Sequence, residues 1–182
     1  NTTKFSECQL FEKYFPAGSR IPQKGYFINN ANSAIRKEVW KEFQFDEQLT
    51  GCEDMYLAKT IVKEGLNIGY VAEAVVYHIH DESWEKIKIR YEREAIALQH
   101  IMPEIHVTLL DSVKFITVGI IKDLRAAMKI KLPFRELPSI FRFRYAQYIG
   151  AYKGNNEHRR LSQEMKIKYF YPRITDMDID RK

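Results

Sequence analysis

The stretch from Asn29 to His80 constrains the fold of this chain more tightly than any other. It opens with Asn29-Asn30-Ala31-Asn32 and closes with His78-x-His80. Between them, residues 37–43 read as a short helix that packs Val39 and Trp40, and residues 45–51 as a loop. Residues 53–64 read as a helix entered through the acidic pair Glu53-Asp54. Leu57, Ala58, Ile61 and Val62 share one face of it, and Gly65 supplies its C-terminal stop. The apolar runs at 25–29, 33–36, 67–71 and 74–78 read as short strands. A helix around residues 6–14 precedes them. Pro16, Gly18 and Pro22 then break the chain.

The character changes after Asp81. Ser83 is a good N-cap, with Lys86 at the third helical position, so no capping box is expected. Trp84, Ile87, Tyr91, Ala95 and Leu98 follow helical spacing up to Pro103. Three further helical patterns follow, over residues 105–130, 141–152 and 159–169, and the last dozen residues read as frayed. The chain therefore divides into a mixed α/β part, residues 1–82, and a helical, cationic extension, residues 83–182.

Composition bounds the function classes. A chain of 182 residues that is 45% hydrophobic builds a core. A net charge of +5 and a pI near 9.1 favour anionic partners. Cys8 and Cys52 lie far apart and do not suggest a zinc site, so a reducing cytoplasm is the default compartment. No run of about 18 apolar residues is long enough to span a bilayer. Nucleic acid is disfavoured by the lack of a zinc knuckle or helix-turn-helix spacing. The chain begins at Asn1 without a Met, which suggests a processed product or a fragment.

Two groups carry candidate chemistry. A carboxylate at a helix entrance suits a general base, although adjacent acids there are also ordinary partners of the helix dipole. His78 and His80 alternate along a strand, so both imidazoles reach one side, where they could ligate a divalent metal or simply form a polar edge. Asn30 and Asn32 suit sugar hydroxyls or local turns. Arg36 suits a diphosphate or a surface ion pair. Trp40 suits a core position or a stacking platform.

Taken as an ordered set, Asn29–Arg36, Gly-Cys-Glu53-Asp54-x-x-Leu-Ala, Gly65, Tyr70 and Val-x-His78-x-His80 resemble the second half of a family 2 glycosyltransferase domain of the GT-A fold, inverting type. The resemblance covers about residues 20–95. It implies an α/β, Rossmann-like half-domain without its nucleotide-binding first half. It also implies that Asp54 is the catalytic base, supported by Glu53. Asn30, Asn32, Arg36 and Trp40 would then line the substrate site, and His78 or His80 would complete a Mn²⁺ or Mg²⁺ shell. The Asp-x-Asp motif that begins such a shell is absent; Asp46-Glu47 and Asp178-x-Asp180 do not follow buried strands and are rejected as substitutes. Met55-Tyr56 departs from the family pattern.

The implied partners are a nucleotide-sugar donor and a saccharide or lipid-linked acceptor, in polysaccharide or lipopolysaccharide biosynthesis. Without the first half the chain would be inactive as an isolated fragment, so the alternative is a non-catalytic acceptor-binding or membrane-docking module. A third reading, a metal-dependent hydrolase on the His pair, lacks acidic ligands beyond Asp81. Lys122, Arg125, Lys129 and Lys131 follow the apolar run 115–121, and Phe134, Arg135 and residues 141–144 continue the mixture. That composition suits either an anionic membrane surface at the inner face or a packing subdomain with solvated basic faces.

Overall fold

The computed structural model describes residues 3–157, and among them the regular structure is helical. The helices are α1 (Phe5–Tyr14), α2 (Lys37–Glu42), α3 (Glu53–Lys63), α4 (Trp84–Ile101), α5 (Leu109–Lys129) and α6 (Leu137–Asn155), with single 3₁₀ turns at Asn30–Asn32 and Phe134–Glu136. The helical pattern expected at 159–169 and the Asp178-x-Asp180 pair lie outside the described residues.

The expected α/β, GT-A half-domain is not what forms. None of the four expected strands is a strand among the described residues. A strand persists only where a neighbour accepts its ladder of hydrogen bonds. Only residues 20–23 and 68–70 find such a neighbour, through Arg20 N–H to Tyr70 O (2.8 Å), Tyr70 N–H to Arg20 O (2.9 Å) and Gln23 N–H to Ile68 O (2.9 Å). Residues 25–29 and 33–36 flank the Asn-rich turn without pairing. Along 74–79 the apolar side chains stay in solvent, Tyr77 being 99% exposed. Alternation in sequence shows that a segment could be extended, but not that a partner strand lies beside it.

The helix ends follow local rules. At α3, Gly65 adopts φ +80°, with Gly65 N–H on Val62 O and Leu66 N–H on Ile61 O, a Schellman termination. At α4, the Ser83 hydroxyl accepts from Lys86 N–H. At α5, Thr108 and Asp111 form a reciprocal capping box.

The core lies between α4 and α6. Ile87, Phe143 and Ala146 are its buried centre, with Leu10 of α1, Trp84 and Tyr91 packed around them. The backbones approach closely because α6 carries Gly150 and Gly154 one turn apart. A Cβ on Gly150 would lie 2.3 Å from Lys88 O, and one on Gly154 2.0 Å from Glu92 O. Helix α5 packs on α6 through small and polar residues. Arg144 inserts beside Gly119 and pairs with buried Asp123 through two bonds, Nε to Oδ2 (2.8 Å) and Nη2 to Oδ1 (2.7 Å), while its Nη1 donates to Gln147 Oε1. Arg144 and Phe143 are thus interior residues, and neither belongs to a cationic surface.

Candidate functional site

Two polar clusters hold most of the residues that the sequence singled out. The first surrounds the start of α3. Leu49, Thr50 and Gly51 are buried against α4, with the Thr50 hydroxyl donating to Arg93 O (3.0 Å). Cys52 turns the chain into the helix with φ +55°, a left-handed conformation that costs a non-glycine residue roughly 1 kcal/mol or more. This turn presents Asp54 to the Asn-rich segment. Asp54 Oδ2 accepts from Asn30 N–H (2.9 Å), and Oδ1 accepts from Met55 N–H (2.7 Å). The segment is itself ordered locally: Asn29 Oδ1 accepts from Ala31 N–H, and the Ser33 hydroxyl donates to Asn30 Oδ1. The Asn32 amide donates to Ala74 O (2.6 Å).

Ala74 leads into the second cluster. Four residues of extended chain span at most about 14 Å, so His78 lies within that distance of the first cluster's edge. His78 and His80 do meet. Their Nε2 atoms are 3.1 Å apart. His80 Nδ1 sits 2.7 Å from Oε1 of buried Glu7, which also accepts from Arg90 Nη2 (2.5 Å). A carboxylate shared with a guanidinium is an acceptor, so Nδ1 donates its hydrogen to Glu7 and Nε2 is the ring nitrogen turned to His78. Arg90 also donates through Nε to Glu82 Oε2 (2.8 Å) and lies 3.9 Å from Glu94. Burial opposes the charge on Arg90, but Tyr91, Glu94, Glu82 and Glu7 outweigh it and its pKa moves up.

The clusters are electrostatically adjacent. Burial, reinforced by Glu94, Asp54 and Glu53, pushes the Cys52 thiol up to about 12. A thiol held protonated is no nucleophile at neutral pH. Burial also raises the Glu94 carboxyl above its ordinary range, with Arg90 and Arg93 opposing the shift.

The donor set can be tested against a cation. Two imidazole nitrogens about 3 Å apart match the bite of one ion with ligand distances near 2.1 Å. The chemistry suits Mn²⁺ better than Mg²⁺, which takes oxygen ligands. Glu7, His80 and Glu82 place ligand atoms within 4.8 Å of one another, yet Arg90 already neutralises both carboxylates. The pair His78 and His80 therefore fits a borderline cation as two ligands, with Glu7 orienting His80 from behind.

A segment of this chain is similar to part of a glycosyltransferase. It is 37% identical over 59 residues to the O-antigen chain rhamnosyltransferase of Salmonella typhimurium, a match covering 32% of this chain and 19% of that protein. The chain thus matches about a fifth of that relative's length. No protein-family model matches the chain, and no solved structure does.

Arg36 and Trp40 are not drawn into either cluster. Arg36 is exposed at the start of α2, and Trp40, 36% exposed, meets Phe45 in a T-shaped ring contact at 5.0 Å between centres. Sequence reasoning missed Glu7, Glu82, Arg90 and Glu94. Arg90 and Glu94, one helical turn apart, carried the one local signal.

Proposed function

We propose that this chain belongs to the acceptor side of an inverting, family 2-like glycosyltransferase of polysaccharide assembly, with Asp54 as the base. The observation that carries the reading is the bond from Asn30 N–H to Asp54 Oδ2, which ties the Asn-rich turn to the acid at the α3 entrance. The segment shared with a rhamnosyltransferase supports sugar transfer as the reaction class. The donor is a nucleotide sugar and the acceptor a growing or lipid-linked saccharide.

In this reading, two backbone N–H bonds fix the Asp54 carboxylate, and each oxygen keeps a second lone pair for an acceptor hydroxyl. Asp54 takes the hydroxyl proton as the acceptor oxygen bonds to the anomeric carbon. The bond from that carbon to the nucleoside diphosphate breaks on the opposite face, and its electron pair leaves with the diphosphate. Glu53 supports the loop, and the amides of Asn30 and Asn32 face saccharide hydroxyls. Arg36, exposed at the start of α2, and Trp40, against Phe45, are kept on the substrate side by the sequence pattern alone. His78 and His80 would hold Mn²⁺, which supplies charge neutralisation of the departing diphosphate. The setting is the cytoplasmic face of the membrane.

The test is Asp54→Asn in the longest natural form of the protein, with transfer followed as nucleotide release. A base contributes on the order of 10²–10⁴ in rate, so activity should fall at least a hundredfold while donor binding persists. A variant that keeps more than about a tenth of the rate removes Asp54 from the role. Loss of donor binding with Asn in place would instead assign Asp54 to the donor.

A further inference from the structure

Helix α5 buries its less apolar side. The residues it hides are Ser112, Gly119, Asp123 and Ala127. Leu110, Val113, Ile121 and Met128 remain 80%, 53%, 42% and 70% exposed. They recur with Thr117 at helical spacing and so share a face, about 27 Å long at 1.5 Å per residue. Beside that face run Lys114, Lys122, Arg125 and Lys129, none in an ion pair with a described carboxylate. Between α5 and α1 lies an open groove of about 530 Å³ whose lining includes Lys13, Lys114 and Lys122. The connection after α5 keeps Ile130 and Phe134 exposed, at 63% and 89%.

We propose that the outer face of α5 docks on an anionic lipid bilayer, lying in the interface plane. Leu110, Val113, Ile121 and Met128 enter the acyl boundary, while the cations beside them meet the headgroups. The groove that Lys13 shares with Lys114 and Lys122 admits headgroup phosphates. No helix among the described residues is long and apolar enough to cross a membrane, and a helix with one apolar face flanked by cations suits the interface plane.

Charge selects the occupant. A second copy of this chain seated on the same face with its α5 antiparallel would bring the cation rows of the two copies onto the same side of the seam. Like charges along a shared seam oppose association. An anionic surface instead gains from every cation in the row. The surface is also narrower than the basic composition suggests, because Arg144 is locked to Asp123 and Phe143 is core.

The test is co-sedimentation of the full chain with vesicles of phosphatidylcholine alone or mixed with phosphatidylglycerol. The protein should pellet with the anionic vesicles, remain in solution with the neutral ones, and be released by high salt. Lys114→Gln with Arg125→Gln and Lys129→Gln should weaken binding roughly a hundredfold. Leu110→Glu with Met128→Glu should abolish it. These positions are exposed, so retained far-UV circular dichroism and thermal midpoint separate lost docking from lost folding. Equal pelleting with both vesicle types overturns the proposal, as does binding that survives both variants. A stable dimer without vesicles, broken by Leu110→Glu with Met128→Glu, overturns it by assigning the face to a second copy.

Discussion

Glu94 shows how one residue's surroundings set its effect on stability. Its folded pKa stands above the ordinary 4.5 because burial disfavours the charge more than Arg90 and Arg93 favour it. A raised carboxyl pKa contributes stability below the unfolded pKa, and that contribution is lost as pH rises through the folded pKa. Glu94→Gln should therefore be more stable than the parent chain at pH 8, and the difference should vanish near pH 4. Urea unfolding at the two pH values reads this directly. The reverse order at pH 8 would mean that the pairing with Arg90 outweighs the burial. At this scale the sequence was legible in part. Asp54 and Asn30 were singled out, and they do meet. Glu7 carried no local signal, because its partners His80 and Arg90 lie more than seventy positions away and no spacing rule reaches that far. Arg144 looked like a surface cation because composition does not report which side of a helix faces Gly119 and Asp123.

Elements were legible where their signals were local. The apolar spacing, Ser83 and Gly65 placed α1 to α4 close to their observed limits, whereas α5 begins four residues later than expected and α6 runs over 137–155 instead of 141–152, with Pro138 inside its first turn. Expected strands failed because a strand is completed by a partner that its own residues do not encode. The close α4–α6 crossing was also missed, since Gly150 and Gly154 do not show in sequence which neighbouring backbone they admit. Their role yields a prediction. In an exposed helix, Gly→Ala gains roughly 1 kcal/mol from helix propensity. At Gly154 the new Cβ would meet the Glu92 carbonyl at 2.0 Å and Ala95 Cβ at 2.9 Å, both on a rigid helix. The helices must separate, and overpacking of this kind costs about 1–3 kcal/mol or more. Gly154→Ala should lower the denaturation midpoint. Gly119→Ala should cost less, because its nearest neighbour is the Arg144 side chain at 3.0 Å. Equal effects would show that the α4–α6 approach can relax freely.

Across the whole molecule, α1 is held to the rear helices by two different kinds of contact. Leu10 packs on the Ile87, Phe143 and Ala146 core, while Glu7 joins the His80 ring to Arg90 of α4. The polar contact connects the candidate histidines to the helical core, so it couples the site to the rest of the fold. Removing one member of a fully buried ion pair costs about 3–5 kcal/mol, because the partner is left unpaired. Arg90 retains Glu82 and some exposure, so Glu7→Ala should cost less, about 2–3 kcal/mol. The loss should also be local in a way that Leu10→Ala is not. Glu7→Ala releases His80 as well as α1, so hydrogen exchange should accelerate in α1 and at the His80 N–H, which donates to the Thr3 hydroxyl (3.2 Å). Leu10→Ala removes packing and leaves the Glu7 bonds in place, so exchange should rise in α1 and across the α4–α6 core, with the His80 N–H unchanged. Identical exchange patterns for the two variants would mean that α1 acts as a single packed element, with no separate polar link to the histidines.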